Sequence, residues 1–318
     1  MLSLFDRRPL SRRIDPTTGH MEAARVVGMI TDDERRALAA YAEKIWLNGA
    51  RRDGLVIDAG PFAGSSTIAL AEGLSHSPLS EAERRERIWS YDLFLTTPGM
   101  AGHFGDSPAA GESFRPVYER NIQPYRDYVR VIEGDIRKVE QPERPVSVLF
   151  VDILWSWEAT QVVSRKFYPL MERGRSLLIH QDFVYPYYPW IIIGMGLLAR
   201  ELPYALNVPY SSAVFDVSRP VRAEAIDDGR NVPMPTALSI YDAFIDRLEG
   251  SGRGLLALGK ALFLASHRRT DEARSLIEEI GKRYADDPVV LQHVEPVLNY
   301  CRQTDQNGVA RPLDQVGH

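Results

Sequence analysis

Cysteine is nearly absent: Cys301 is the one example in 318 residues. No internal disulfide and no CxxC metal site can be built from it. That usage suits a reducing compartment, so a cytoplasmic location is expected. Long apolar runs are missing too. The greasiest segment, 190–198 (WIIIGMGLL), falls far short of the roughly 20 residues that cross a bilayer. It predicts a buried helix, and no membrane partner is expected. The opening MLSLFDRRPLSRRIDP has no apolar stretch of signal-peptide length, so no secretion signal is expected. Basic charge is not in excess. The formal net charge of -5 argues against a general nucleic-acid partner. Two phosphate-binding signatures are also lacking. No Gly-Lys-Ser/Thr follows a glycine loop, which excludes a Walker A site, and GxGxxG is absent, which disfavours a nucleotide-dependent oxidoreductase.

What is present is a beat of short apolar runs. GLVIDAG (54–60), RIWSYDLF (87–94), YVRVIEGDI (128–136), VSVLFVDIL (146–154) and RSLLIHQDF (175–183) each read as a strand that ends near an acid. The acids are Asp58, Asp92, Asp135, Asp152 and Asp182. Helical patterns such as 157–171 lie between most of them, which predicts βαβ units and a doubly wound, mostly parallel α/β sheet. Ligands of such sheets sit at the carboxyl ends of the strands, so the five acids are expected along one rim. Residues 204–220 suggest a closing hairpin, and 220–236 a linker. Thr31 with Glu34 three residues later marks a helix start before the first strand.

The domain reading is a basic arm over 1–20, the α/β domain over 21–236, and a helical extension over 237–318. The extension resembles a tetratricopeptide-type helix pair, which cannot stand alone as a solenoid. Its bland reading is a helical cap on the main domain. Residues 95–113, rich in Gly, Pro and Ser, form a long loop after the second strand, a common place for a lid.

The first turn, Gly60-Pro-Phe-Ala-Gly64-Ser65, suits a strand-to-helix handover that brings backbone close to a ligand. Glycine adopts unusual φ and carries no Cβ. Ser65, Ser66 and Thr67 are placed to cap the helix, whose N-terminus favours carboxylates or phosphates. An ordinary tight βα turn is the competing reading. Asp92, ending the second strand, has the position of a carboxylate that accepts two ribose hydroxyls.

VIDAGPFAGSS, SYDLF, EGDI, VLFVDILWSWEAT and LLIHQDF together make residues 50–215 resemble the class I S-adenosylmethionine-dependent methyltransferases. The likeness is to the small-molecule and sugar branch, which includes macrolide-sugar and cephalosporin-pathway O-methyltransferases. The resemblance implies S-adenosylmethionine as cofactor. Asp58, Gly60, Gly64 and Ser65 would line its methionine and ribose part, Asp92 would take the ribose hydroxyls, and Asp135 and Ile136 would flank the adenine. Asp152, Gln181 and Asp182 match the positions that hold magnesium in that branch.

Two departures stand out. The branch reads Asp-Gly-x-His at the fourth strand end, where the histidine can serve as base, whereas this chain has Asp152-Ile153-Leu154-Trp155. The metal pair is Gln181-Asp182, one charge short, which leaves magnesium open. His180 and Asp152 are then the expected catalytic groups, with His103 as a second histidine. A strand-end histidine bonded to backbone competes for His180, and a solvated loop residue for His103. The aromatic run YPYYPW (185–190) could floor an acceptor pocket or simply fill the core. The expected activity is methyl transfer to a small polar acceptor, a sugar or natural-product hydroxyl. The rivals are a catalytically silent cofactor-binding or scaffold protein that uses its helical tail for partners, and the oxidoreductase. A homo-oligomer stays open.

Overall fold

A computed structural model of the protein describes residues 9–22, 26–104, 108–209 and 211–307. Residues 1–8 of the expected arm and 105–107 of the expected loop lie outside them. Seven strands form one sheet: β1 (Leu55–Ala59), β2 (Ile88–Asp92), β3 (Val129–Glu133), β4 (Val146–Val151), β5 (Leu177–His180), β6 (Tyr204–Val208) and β7 (Ser212–Asp216). Their order is β3-β2-β1-β4-β5-β7-β6. The first five pair in parallel, while β7 runs antiparallel between β5 and β6. The five expected strands and the closing hairpin are all present. Strand order reverses between β1 and β4, which makes their carboxyl ends the crevice of this doubly wound sheet.

The helices are α1 (Asp32–Lys44), α2 (Ser65–Ser75), α3 (Glu81–Arg84), α4 (Pro98–Ala101), α5 (Arg115–Asn121), α6 (Trp157–Phe167), α7 (Pro189–Leu197), α8 (Met234–Ile245), α9 (Gly250–Ser266), α10 (Thr270–Arg283) and α11 (Pro288–Asn307). Side chains alternate across each strand, and the two faces build two cores. Val56 and Val148 face α1 and α2, while Leu55, Ile57 and Leu149 face α6 and α7. The second core continues without a break into α8, α9, α10 and α11, through Tyr241, Leu255, Ile277 and Val297. The apolar run at 190–198 is buried within and just beyond α7. Among the described residues, no helix is long and apolar enough to cross a membrane.

The expected helix start before the first strand meets its geometry. Thr31 accepts from the Glu34 amide at 3.2 Å while Glu34 accepts from the Thr31 amide at 2.8 Å, which is a complete capping box for α1. Asp287 caps α11 by accepting from the amides of Val289 and Val290.

Others are corrected. The arm is packed where it is described: Leu10 and Ile14 are buried, and Ser11 donates its amide and hydroxyl to Asp216 at 2.9 and 2.5 Å. Residues 220–236 are not a free linker, because Ala223–Asn231 winds into 3-10 turns with Ile226 buried in the core beside α6 and α7.

Candidate functional site

Backbone hydrogen bonds lace the strand ends into one rim. Gly134 N–H donates to Asp92 O, Gly60 N–H to Tyr91 O, Asp152 N–H to Ala59 O, and Gln181 N–H to Val151 O, all between 2.7 and 3.0 Å. Each strand therefore hands its loop out beside its neighbour's last residues. Two cavities of about 340 Å³ each open along this rim. One lies over β2, β3 and β4 and is walled by Leu93, Asp135, Ile136 and Ile153. The other lies over β1, β4 and β5 and is walled by Gly60, Phe62, Asp152, Asp182 and Tyr188. Asp92 and Trp155 line both, so they mark the passage from one to the other.

Asp92 sits at the tip of β2 with one oxygen 2.7 Å from the Phe94 amide. Burial pushes its carboxyl up to about 6, against amide hydrogen bonds from Phe94, Phe62 and Leu93. Trp155 is 41% exposed, unusual for so large an apolar surface. Tyr91 lines the first cavity, and its hydroxyl is buried without a hydrogen-bond partner. Such an orphaned donor is costly.

The glycine turn is shaped by the sheet. Gly60 has φ 95°, and a Cβ there would lie 2.5 Å from the carbonyl oxygen of Asp152 and 2.6 Å from Ile153. The residue is glycine because β4's exit passes directly behind it. Gly64, at φ 100°, is the N-cap of α2, and a Cβ would press on Ile122 and Tyr118. It borders neither large cavity. Ser65 borders only a narrow pocket beside Gly60 and Met29.

Asp58 departs most from its expected role. Val56 and Asp58 share the face toward α1 and α2, and Asp58 is wholly buried. Ser66 Oγ stands 3.0 and 3.1 Å from its two oxygens, and Thr67 Oγ1 stands 2.5 Å from one. Burial pushes the carboxyl up to about 7 while these hydroxyls pull it down. The expected capping hydroxyls thus clamp the β1 acid, which lines neither large cavity.

Asp135 does line the first cavity, but Arg137 grips it with Nε at 2.8 and 2.9 Å and Nη2 at 2.5 Å. The side-chain hydrogen bond from Arg137 holds its carboxyl down to about 2. Ile136 borders the same cavity.

His180 is not a base for this cleft. It points into the core, its Nε2 2.8 Å from the Tyr168 hydroxyl and its ring edge-on to Tyr168 and Phe215. It is 1% exposed and burial drives its imidazole down to about 3. A neutral ring enclosed in the core lines neither cavity and cannot reach an acceptor there. His103 is exposed, edge-on to Phe62 at 5.9 Å. Of the expected catalytic pair, Asp152 alone faces the cavity.

The expected magnesium set does not fit a metal. The Gln181 amide is tied off: its Nε2 donates to Ser211 Oγ at 3.0 Å, and its Oε1 accepts from Ser212 Oγ at 2.5 Å. Ser212 Oγ also stands 2.7 Å from Glu34 Oε1. Among the described residues, no three His, Cys, Asp or Glu side chains gather as a metal cage. What remains is a close pair of carboxylates. Burial, then the charges of Asp182 and Glu34, hold Asp152 well above the usual range. Burial and Glu34 push Asp182 up to about 7. Asp182 itself adopts φ 58°, a conformation uncommon for residues other than glycine.

Sequence reasoning missed Glu34, Ser211, Ser212 and Met29. Glu34 carried a signal, but for capping alone. One of its oxygens serves Thr31 and the other reaches the β6–β7 turn. The aromatic run divides: Tyr185 and Tyr188 line the second cavity, whereas Trp190 is buried with Nε1 2.5 Å from Leu154 O. The long loop folds back on itself. Thr96 and Glu112, and Phe94 and Phe114, are joined by backbone bonds at 2.9 and 3.1 Å, Phe104 lies tilted against Phe62 at 4.9 Å, and Met100 lines the second cavity.

No family model and no curated protein matches this chain. Solved structures similar to it include the 23S rRNA methyltransferase ErmE, at 17% identity, 91% of this chain, 94% of that one and TM-score 0.34. Mitomycin 7-O-methyltransferase MmcR gives 12% identity, 59% and 57% coverage and TM-score 0.32. Phosphoethanolamine N-methyltransferase 1 of Haemonchus contortus gives 12% identity, 66% and 50% coverage and TM-score 0.37. Scores this low carry no weight for this chain. The fold class rests on the strand order, and the function on the cleft.

Proposed function

We propose that the protein transfers a methyl group from S-adenosylmethionine to a small polar acceptor. The observation that carries this reading is Asp92. It ends β2 at the passage between two cavities that flank the switch point, the place where a carboxylate meets ribose hydroxyls in such sheets. An elongated donor fits this layout. Its adenine would lie in the first cavity against Ile136, Leu93 and Ile153. Its methionine end would lie toward Gly60. When bound, the cofactor supplies an electrophilic methyl carbon.

The chain's own residues then position the acceptor. Phe62, Trp155, Tyr185 and Tyr188 line its cavity. Asp152 and Asp182 hold its polar group, and either carboxylate is placed to receive the proton released on transfer. Positioning of this kind supplies much of the rate in a direct displacement. No step is assigned to a metal or to His180. Titration of the purified protein with S-adenosylmethionine, NAD and ATP tests the reading. Saturable binding of the first alone is expected, and preference for NAD or ATP would overturn it.

A further inference from the structure

We propose that the second cavity takes an amine acceptor, a cation at neutral pH, which yields a proton to Asp152 or Asp182 so that its nitrogen lone pair can take the methyl group from the sulfonium, leaving a thioether. This deepens the methyl-transfer reading and rests on it. Three carboxylates, Asp92, Asp152 and Asp182, border a space of about 340 Å³. None of its described lining residues is lysine, arginine or histidine. Glu34 stands just behind, through Ser211 and Ser212 at 3.4 and 2.7 Å. A magnesium ion is not the counter-charge, because the Gln181 amide that would complete its ligands is already bonded at both ends.

The methyl donor does not settle the balance either. Its sulfonium and ammonium are offset by its own carboxylate, leaving one net positive charge. With Asp92 directed to the ribose, that charge answers one of the two remaining carboxylates. Burial favours the protonated form of the other in the empty site. A cationic acceptor draws it into its ionised form as a counter-charge, which a neutral hydroxylated acceptor cannot do.

The rest of the wall has the same preference. The rings of Tyr185 and Tyr188 lie 5.4 Å apart, centroid to centroid, and Phe62 and Trp155 add two more aromatic surfaces. Aromatic faces attract ammonium groups, more strongly where water is excluded. Carboxylates and aromatic faces together thus select for organic cations over neutral polyols.

The test uses the full chain saturated with S-adenosylhomocysteine, titrated calorimetrically with phenethylamine, a cation at pH 7, and with 2-phenylethanol, its neutral counterpart. The amine is expected to bind about ten- to a hundredfold more tightly, the ratio of one charge-assisted contact. Asp182→Asn, which keeps the side chain's shape, should erase that preference while S-adenosylhomocysteine still binds, which also reports that the variant is folded. Equal affinity for the two probes, no binding of either, or a preference that survives both Asp152→Asn and Asp182→Asn would overturn the proposal. If S-adenosylhomocysteine itself fails to bind the parent, the methyl-transfer reading falls instead, and the same pair of probes on cofactor-free protein then decides whether the cavity selects cations.

Discussion

The Gln181 side chain donates to Ser211 across 3.0 Å, joining the exit of β5 to the turn between β6 and β7. The bond makes Gln181 a brace for the cleft wall beside Asp182. Gln181→Glu would set a carboxylate against Glu34 across Ser212. Its folded-state pKa would be raised, so the variant's stability is present at low pH and lost as pH rises through that pKa. The Tm deficit relative to the parent should be small near pH 4 and grow toward pH 7. A deficit that does not change with pH would contradict the pairing.

Asp92→Ala should weaken S-adenosylmethionine binding about ten- to a hundredfold, the loss of one or two charge-assisted hydrogen bonds. Calorimetry on a variant with unchanged circular dichroism measures it. An unchanged Kd would remove Asp92 from the ribose site.

Gly60→Val should act on folding before it acts on binding. The new Cβ meets the Asp152 carbonyl at 2.5 Å in a residue held at φ 95°. A loss of about 3 kcal/mol or more in unfolding free energy is expected, read from denaturant titration. A variant as stable as the parent, with cofactor binding alone impaired, would mean that ligand rather than β4 occupies the space.

His180→Phe should leave cofactor binding intact. The ring still packs against Phe215, but the buried Tyr168 hydroxyl loses its partner, a cost of about 1–3 kcal/mol. A fall in Tm with unchanged Kd for S-adenosylmethionine is the expected result. A changed Kd would place His180 in the site after all.

The buried carboxyls should make the parent's stability fall as pH rises from about 4 to 7, offset in part by His180, whose imidazole burial drives down to about 3 and whose contribution to stability grows over that range. Asp58, Asp92 and Asp182 have carboxyls pushed up to about 7, 6 and 7, chiefly by burial. Each holds its proton in the folded chain at pH values where the unfolded chain has lost it, so the stability each contributes disappears through that window. Asp58→Asn should show a flatter Tm profile over the same range, and an equally steep profile would count against the Asp58 shift.

The strands were readable because each is a short apolar run, the pattern that burial on both faces of a parallel sheet demands of its central strands. Where each acid points was not readable. Asp58 turns inward because Ser66 and Thr67 meet it from the first turn of α2, and the same two hydroxyls read equally well as caps. Asp135 is engaged by Arg137, a local pair that spacing permits without requiring. Gln181 finds its partners 30 and 31 residues away, and Glu34 finds Ser212 at a separation of 178. Periodicity carries no record of contacts at that range, so the rim was legible and the wiring of its acids was not.

The antiparallel insertion of β7 has a consequence for synthesis on the ribosome. Leu177–His180 has its outer edge paired only by β7, and Ser212, the first residue of that strand, also braces Gln181. Until β7 has emerged, the nascent chain presents β5 as an open edge, the kind of surface that recruits stray strands. The carboxyl ends of β1, β2, β3 and β4 can be complete before then, while the wall beside Gln181 waits for the hairpin. A nascent chain halted ahead of Ser212 would therefore be both sticky and half built.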